Sequence, residues 1–177
     1  MKQLVFVIHK HAATSLHYDF RLQIGKVMPS WAIPKGPTLD NSFKRLAMET
    51  TDHSMEYSKF EGVLPEGSYG AGPVMIWDEG YYIPEIEIAK GVREEVKDLE
   101  EGQKVMKEGL KKGEIKFKLF GKKLQGSFAL VKTKGFAGPK AWLLIKHKDE
   151  YVEKNYDAND YDFSAKSGKS LKEIAKE

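Results

Sequence analysis

The segment Leu16–Leu22, with the sequence LHYDFRL, constrains the fold more than any other part of the chain. Its polar and apolar residues alternate strictly, which is the pattern of a β-strand with one buried face. The polar face carries His17, Asp19 and Arg21, whereas the opposite face is wholly apolar. An imidazole, a carboxylate and a guanidinium therefore project together from one side of the predicted strand.

These polar residues have the spacing of a metal site with an anion beside it. His17 and Asp19 are one pleat apart, so both can ligate one metal ion, and Arg21 can then grip an anion bound to that ion. His11 completes an H-x5-H-x-D spacing, and a hairpin after a strand over residues 4–8 would bring it near His17. The alternative is an amphipathic hairpin edge with a structural ion pair between Asp19 and Arg21.

Two further features supply candidate positive charge. Lys35 lies in a loop that Pro34 and Pro37 make stiff, so its position is restricted. Arg45 lies in strand phase with His53, which follows the end of a predicted strand. This spacing indicates either that Arg45 and His53 extend an anion site or that His53 is an ordinary histidine in a turn.

Length and composition limit the protein class. With 177 residues, we predict one domain over residues 1–150 and a polar C-terminal tail with a short helix over residues 151–177. The chain has no cysteine, which excludes disulfides and thiolate–zinc sites. The apolar N-terminal run is too short for a signal peptide or a membrane span, so we expect a cytoplasmic monomer without membrane contact. A net charge of +3 weakly favours an anionic partner.

The pattern of elements is mainly β. About eight short strands with turn signals between them favour a sandwich or a barrel. Residues 92–112 form the only long helical pattern of the sequence. Gly102 and Gly109 weaken this pattern, so it predicts either one helix or two. The glycine-rich stretch 65–73 lacks phosphate-loop spacing and precedes a strand, so we expect its glycines to serve backbone conformation.

Several motifs together resemble a known family. They are FVIHKH at 6–11, LHYDFRL at 16–22, SWAIPKGP at 30–37, DH at 52–53, FEG at 60–62 and EGSYGAG at 66–72. In this order they resemble the 3′-phosphoesterase domain of bacterial DNA ligase D and its free-standing archaeal and bacterial relatives. The resemblance covers roughly residues 5–151 and implies a mainly β fold, an about eight-stranded β-barrel with one or two helices packed outside.

The resemblance also implies an activity. The family trims 3′-phosphates and 3′-terminal ribonucleotides at a Mn²⁺ site, or one for another divalent transition metal, and leaves a 3′-hydroxyl for repair. The implied partners are DNA or DNA/RNA 3′ ends and a separate DNA ligase and polymerase of an end-joining system. The implied metal ligands are His11, His17 and Asp19; the implied catalytic residues are Arg21, His53 and Tyr57; the implied phosphate-binding residues are Arg21, Lys35, Arg45 and His53.

The chain departs from the family pattern at several positions. His9 stands where the family often has Gln, Thr51 where Glu commonly precedes Asp-His, and Ser54 where Pro usually follows. Only five residues precede Phe6, where the family has an N-terminal arm that handles the ribonucleoside. We therefore expect 3′-phosphate removal to be faster than 3′-ribonucleotide removal.

Two other functions are compatible with the same residues. His17-x-Asp19 with a later His53 is also the spacing of the facial triad of an Fe(II) oxygenase. A barrel that binds nucleic-acid ends without turnover is the other alternative. The clustered positive charges favour phosphate chemistry over the oxygenase, and the retention of all matched polar residues argues against an inactive barrel.

Overall fold

A computed structural model describes residues 3–68 and 70–177, and strands dominate it. The strands are β1 (Leu4–Ala12), β2 (Leu16–Leu22), β3 (Val27–Ile33), β4 (Arg45–Ser54), β5 (Gly62–Leu64), β6 (Gly72–Ala89), β7 (Val92–Glu95), β8 (Glu114–Gly121), β9 (Gln125–Lys132) and β10 (Ala141–Lys146). The α-helices are α1 (Leu99–Lys112) and α2 (Leu171–Ala175). Neither helix combines the length and the apolar character that crossing a membrane requires.

Eight strands close into an antiparallel barrel in the order β1-β2-β3-β4-β10-β9-β8-β6, and β6 returns to β1. β5 and β7 pair with β6 outside this ring. Helix α1 packs on β6 and β8, whereas α2 packs on β5 and β6. The predicted mainly β fold, with an eight-stranded barrel and helices outside, is therefore confirmed.

The barrel core is aromatic, and β2 shows how the sequence builds it. Tyr18, Phe20 and Leu22 are each at most 1% exposed, as the alternation of this segment predicts. The ring of Tyr18 packs edge-on against Trp77 with 5.5 Å between centroids. Burying each such side chain stabilises the fold by about 1.5–3 kcal/mol. The opposite, polar face of β2 is thereby turned away from the core.

The helix prediction over residues 92–112 is wrong in its first part. Val92–Glu95 forms β7, which pairs with the far end of β6 as a hairpin. Helix α1 begins only after Asp98, whose side chain accepts a hydrogen bond from the backbone N–H of Glu101 at 2.9 Å. The valines at the start of the predicted helix thus fit a helical spacing. The pairing of β7 with β6 and the cap at Asp98 nevertheless determine where α1 begins. Helix α1 itself is continuous.

The C-terminal tail packs against the barrel. Tyr18 Oη donates to Asn159 Oδ1 at 2.9 Å, and the Lys10 ammonium pairs with Asp162 at 3.1 Å. Ile174, in the short helix α2, is fully buried. The tail therefore covers core-facing residues of β1 and β2 close to the hairpin that joins them.

Gly109 lies where α1 meets β8, and we predict that its replacement by alanine destabilises the protein. A Cβ at this position would lie 2.6 Å from the carbonyl O of Glu114 and 2.7 Å from Ile115 Cγ2. Gly→Ala in a helix usually gains up to about 1 kcal/mol, but overpacking here should lower the free energy of unfolding by about 1–3 kcal/mol. Urea denaturation measures the change. The exposed control Lys107→Ala should stay within about 0.5 kcal/mol, and a Gly109→Ala protein as stable as wild type would contradict the prediction.

Candidate active site

The register of β1 against β2 assembles the polar cluster. His11 lies directly opposite His17, and His9 lies directly opposite Asp19. Because residues opposite each other across a strand pair share one face, these side chains and Arg21 project together. The imidazole rings of His11 and His17 have centroids 5.1 Å apart. The expectation that a hairpin brings these two histidines together is confirmed.

His11, His17 and Asp19 form a group that can hold a metal ion. One ligand atom from each lies within 4.8 Å of the others. His17 Nε2 is 3.1 Å from Asp19 Oδ2, and the other ring nitrogen of His17 is 3.1 Å from the carbonyl O of Ser15, which orients the imidazole. His11 Nε2 is buried and has no hydrogen-bond partner in the described part of the chain. Two imidazoles and a carboxylate fit a divalent transition metal.

Burial and the contact between His17 and Asp19 set the protonation of this group. Burial lowers the pKa of His11, so its ring is neutral. The hydrogen bond to Asp19 raises the pKa of His17. Burial opposes ionisation of Asp19, but the hydrogen bond from His17 and the charge of Arg21 outweigh it, and the pKa of Asp19 lies below its ordinary value. A cation would replace the proton that His17 and Asp19 share.

Arg21 is held beside the metal group by contacts to all three of its nitrogen atoms. It is 3% exposed, and its Nε donates to His9 Nδ1 at 3.1 Å. Nη2 is 3.4 Å from Asp19 Oδ2, and Nη1 is 3.0 Å from His53 Nδ1. The guanidinium carbon lies 5.2 Å from the centroid of the Tyr57 ring. A guanidinium has five N–H groups in one plane, which is more than the three contacts of Arg21 use.

His9 is the residue whose role the sequence did not reveal. It is fully buried; its Nδ1 accepts from Arg21, and its Nε2 lies 3.1 Å from the carbonyl O of Phe60. The tautomer with hydrogen on Nε2 satisfies both contacts. Burial and the charge of Arg21 lower the pKa of His9 to about 3. The strand phase that His9 shares with His11 was the signal for its orientation.

A β-bulge brings His53 to the site. On β3 and β4, Ser30 lies opposite Thr50 but Met28 lies opposite His53, so β4 has one extra residue. A bulge of this kind changes which face the following side chains occupy. The expectation that Arg45 and His53 lie in phase is therefore wrong.

His53 and Tyr57 enclose Arg21 from the other side. Tyr57 lies in a short 3₁₀ helix, and its ring centroid is 5.1 Å from those of both His9 and His53. Burial raises the pKa of Tyr57, so its hydroxyl keeps its proton. Burial and Arg21 lower the pKa of His53, whose Nδ1 also lies 2.9 Å from the carbonyl O of Thr51. His53 thus contacts Arg21 and is not in the metal group.

Lys35 and Arg45 are not joined to this cluster. Arg45 Nε donates to the carbonyl O of Gly36 at 3.1 Å, and its guanidinium lies 5.7 Å from the ring of Phe43. Ala47, two residues further along the regular part of β4, is buried in the core. Lys35 is exposed in its loop. Among the described residues, no hydrogen bond or ion pair connects either side chain to the metal group or to Arg21.

The glycine-rich loop borders the metal group. Gly72 has a φ of +123°, and a Cβ there would lie 2.2 Å from the carbonyl O of Ala12. A Cβ at Gly70 would lie 3.4 Å from His11 Cε1. These glycines serve backbone conformation and close packing, as expected. Tyr69, in the same motif, lies outside the described residues.

We predict that His9 makes the stability of the protein depend on pH. Its pKa is lower in the folded chain than in the unfolded chain, so below about pH 6.5 the unfolded chain binds the extra proton and folding stability falls. The loss is about 1.4 kcal/mol per pH unit. Between pH 7 and pH 5, the free energy of unfolding of wild type should therefore fall by about 2 kcal/mol more than that of His9→Gln. Guanidinium unfolding in EDTA measures both, and equal pH slopes would contradict the prediction.

A comparison with protein families gives an independent match. The family model described as the DNA Ligase D 3′-phosphoesterase domain matches residues 9–132. This range contains the metal group, Arg21, His53 and Tyr57.

Relatives with known names agree with this match. The multifunctional non-homologous end joining protein LigD of Pseudomonas aeruginosa is 41% identical over 146 residues, which cover 82% of this chain and 15% of the relative. The protein of the same name from Mycolicibacterium smegmatis is 40% identical over 145 residues, 82% of this chain and 17% of the relative. The multifunctional non-homologous end joining DNA repair protein LigD of Mycobacterium tuberculosis is 36% identical over 152 residues, 86% of this chain and 17% of the relative. This chain belongs to the DNA ligase D 3′-phosphoesterase domain family.

Proposed function

We propose that the protein is a Mn²⁺-dependent phosphoesterase that heals DNA 3′ ends by removing a 3′-phosphate to leave a 3′-hydroxyl. Removal of 3′-terminal ribonucleotides is the second reaction of the proposal. One observation carries it: a buried guanidinium lies beside a His–His–Asp group, with its Nη2 3.4 Å from the Asp19 carboxylate. Membership of the family supports a DNA end-processing role and a hydrolytic reaction.

Hydrolysis of a phosphate ester requires charge neutralisation at the phosphoryl oxygens, a nucleophile in line and a stabilised leaving group. In the proposal, His11, His17 and Asp19 hold the cation. When bound, a divalent ion supplies Lewis-acid charge to the phosphoryl oxygens and activates water. Two neutral imidazoles and one carboxylate leave net positive charge on the centre, which favours an anionic substrate.

The remaining residues act on the phosphate directly. Arg21 has a planar guanidinium whose orientation is held by its contacts, and this group suits bidentate contact with phosphate oxygens. Both contacts of His53, to Arg21 and to the carbonyl O of Thr51, use Nδ1, so Nε2 is the ring nitrogen that can exchange a proton with the phosphate or with the leaving oxygen. The Tyr57 hydroxyl, which stays protonated, is a further donor. The chain has no cysteine, so attack by water is the simplest reaction.

The proposed substrates and partners follow from the same chemistry. We propose DNA or DNA/RNA 3′ ends as substrates, and a DNA ligase and a polymerase of an end-joining system as users of the 3′-hydroxyl. The relatives are named as multifunctional end-joining proteins. This chain spans 15–17% of the length of these relatives, so their other activities are not carried over to it.

We predict that the purified protein releases inorganic phosphate from a DNA duplex with a 3′-phosphate when Mn²⁺ is present, and none in EDTA. Asp19→Asn should lose both Mn²⁺ binding and phosphate release, because it removes the anionic ligand. Oxygen uptake without phosphate release would instead indicate the Fe(II) oxygenase. Binding of DNA ends without turnover in any divalent metal would indicate an inactive barrel. A matched duplex with one 3′-ribonucleotide compares the two proposed reactions in the same time course.

We predict that Arg21→Ala lowers kcat for phosphate release by roughly 10²–10³, the usual cost of losing one preorganised donor to developing charge. Mn²⁺ affinity, measured by electron paramagnetic resonance, should change by less than about threefold, because Arg21 is not a ligand. Arg45→Ala is the matched comparison: its guanidinium bonds Gly36 and not the cluster, so we expect less than about a tenfold loss. Near wild-type activity of Arg21→Ala would remove Arg21 from the mechanism.

A further inference from the structure

The orientation of Arg21 depends on a segment that is distant in sequence. Arg21 Nε donates to His9 Nδ1, and the other ring nitrogen of His9 bonds the carbonyl O of Phe60. The ring of Phe60 also stacks on Tyr57, with 5.5 Å between centroids. The backbone position of Phe60 therefore sets the His9 ring, and through it the guanidinium plane.

Glu61 holds the neighbouring backbone of Phe60 in place, because its side chain bonds β6 where the strand pairing is irregular. His9 lies opposite Ile76, directly after a register shift between β1 and β6. The carboxylate of Glu61 accepts from the backbone N–H of Ile76 at 2.8 Å. The carbonyl O of Ile76 accepts from the backbone N–H of Ala165 at 2.8 Å. The backbone N–H of Ile76 is thus bonded to the side chain of Glu61, and its carbonyl O is bonded to the C-terminal tail.

The C-terminal tail also forms a hydrogen bond with Glu61 itself. Ser167 Oγ donates to the second carboxylate oxygen of Glu61 at 2.6 Å, and Lys166 Nζ donates to the carbonyl O of Lys59 at 3.1 Å. The hydroxyl of buried Ser164 accepts from the backbone N–H groups of Lys166 and Ser167 at 3.0 and 2.9 Å. We call residues 164–167 the strap. The strap lies outside the residues 9–132 that the family model matches.

We propose that Glu61, held by the strap, is a positioning residue for Arg21. The connection runs by a hydrogen bond from the strap to Glu61, along the chain to its neighbour Phe60, and then by hydrogen bonds to His9 and to the guanidinium. The catalytic consequence rests on the proposed function, since it assumes that Arg21 contacts phosphate. The order of the guanidinium itself does not.

The test follows Arg21 directly by NMR in EDTA. In wild type, the Nε–H of Arg21 bonds a buried imidazole and should exchange slowly with solvent; its signal is assigned by its loss in Arg21→Lys. In Glu61→Ala, exchange should be at least about tenfold faster, because the bond opens more often. Glu61→Gln keeps an acceptor for Ile76 and should restore slow exchange. The control Lys154→Ala removes a tail lysine that bonds Asn41 and Ser42, and should leave exchange unchanged.

A second variant guards against loss of folding. Lys166→Ala combined with Ser167→Ala alters only exposed side chains of the strap, so the barrel should fold, and Arg21 Nε–H exchange should still rise at least about threefold. Unchanged exchange in a folded Glu61→Ala protein, or in the strap variant if Glu61→Ala unfolds, would overturn the proposal.

Enzyme kinetics test the catalytic consequence of the proposal. Glu61→Ala should lower kcat for 3′-phosphate release by roughly 10- to 100-fold, with Mn²⁺ affinity unchanged and Glu61→Gln close to wild type. A parallel loss of Mn²⁺ affinity would indicate general damage to the site and would count against positioning. Wild type that releases no phosphate from any DNA end would defeat the proposed function, while the NMR measurement would still decide whether Glu61 orders Arg21.

Discussion

The register between β1 and β2 is the constraint on which the site depends. A slip of one residue would turn every side chain of β2 to the other face. Tyr18 and Phe20 would then leave the core, each at a cost of about 1.5–3 kcal/mol. Asp19 and Arg21 would enter it as charges away from their partners, which is costlier still. The burial of the apolar face therefore determines where the polar face can be, and aligns His11 with His17.

Arg21 is expensive to bury, and its neighbours offset that cost only in part. A guanidinium at 3% exposure loses most of its hydration. Asp19 supplies one opposite charge, His9 offers a neutral acceptor, and His53 Nδ1 lies 3.0 Å from Nη1. Among the described residues, Asp19 is the one carboxylate paired with Arg21, and a buried guanidinium has five N–H groups to satisfy. This imbalance is the physical reason to expect an anion here.

The sequence predicted the parts of the molecule that follow a simple period. Alternation in β2 identified the core face and the polar face, and the spacing of His11 identified the hairpin. The helical stripe failed at Val92, because a four-residue step cannot distinguish a helix from a strand that pairs with β6. The sequence did not reveal the role of His9, because its partner Phe60 is 51 positions away and belongs to a segment without regular structure. The contacts of the tail are equally distant and leave no periodic signal.

Irregular strand pairing at two places in the barrel explains why the positions of the site residues were harder to predict than the fold. One register shift lies at His9 between β1 and β6, and another precedes His53 between β3 and β4. Bulges re-aim side chains and interrupt the regular ladder. At β6, Glu61 and Ala165 take the backbone groups of the residue opposite His9.

These contacts orient Arg21 through the protein alone, whereas His11 retains a buried ring nitrogen without a partner among the described residues. The guanidinium half of the site is therefore preorganised, because each guanidinium nitrogen already has a protein contact. The metal-ligand half differs, because His11, His17 and Asp19 can each offer a ligand atom to one cation. The two halves meet at Asp19, whose Oδ2 contacts both His17 and Arg21. Asp19 therefore couples the two halves, because a bound cation and Arg21 would share the charge of this one carboxylate.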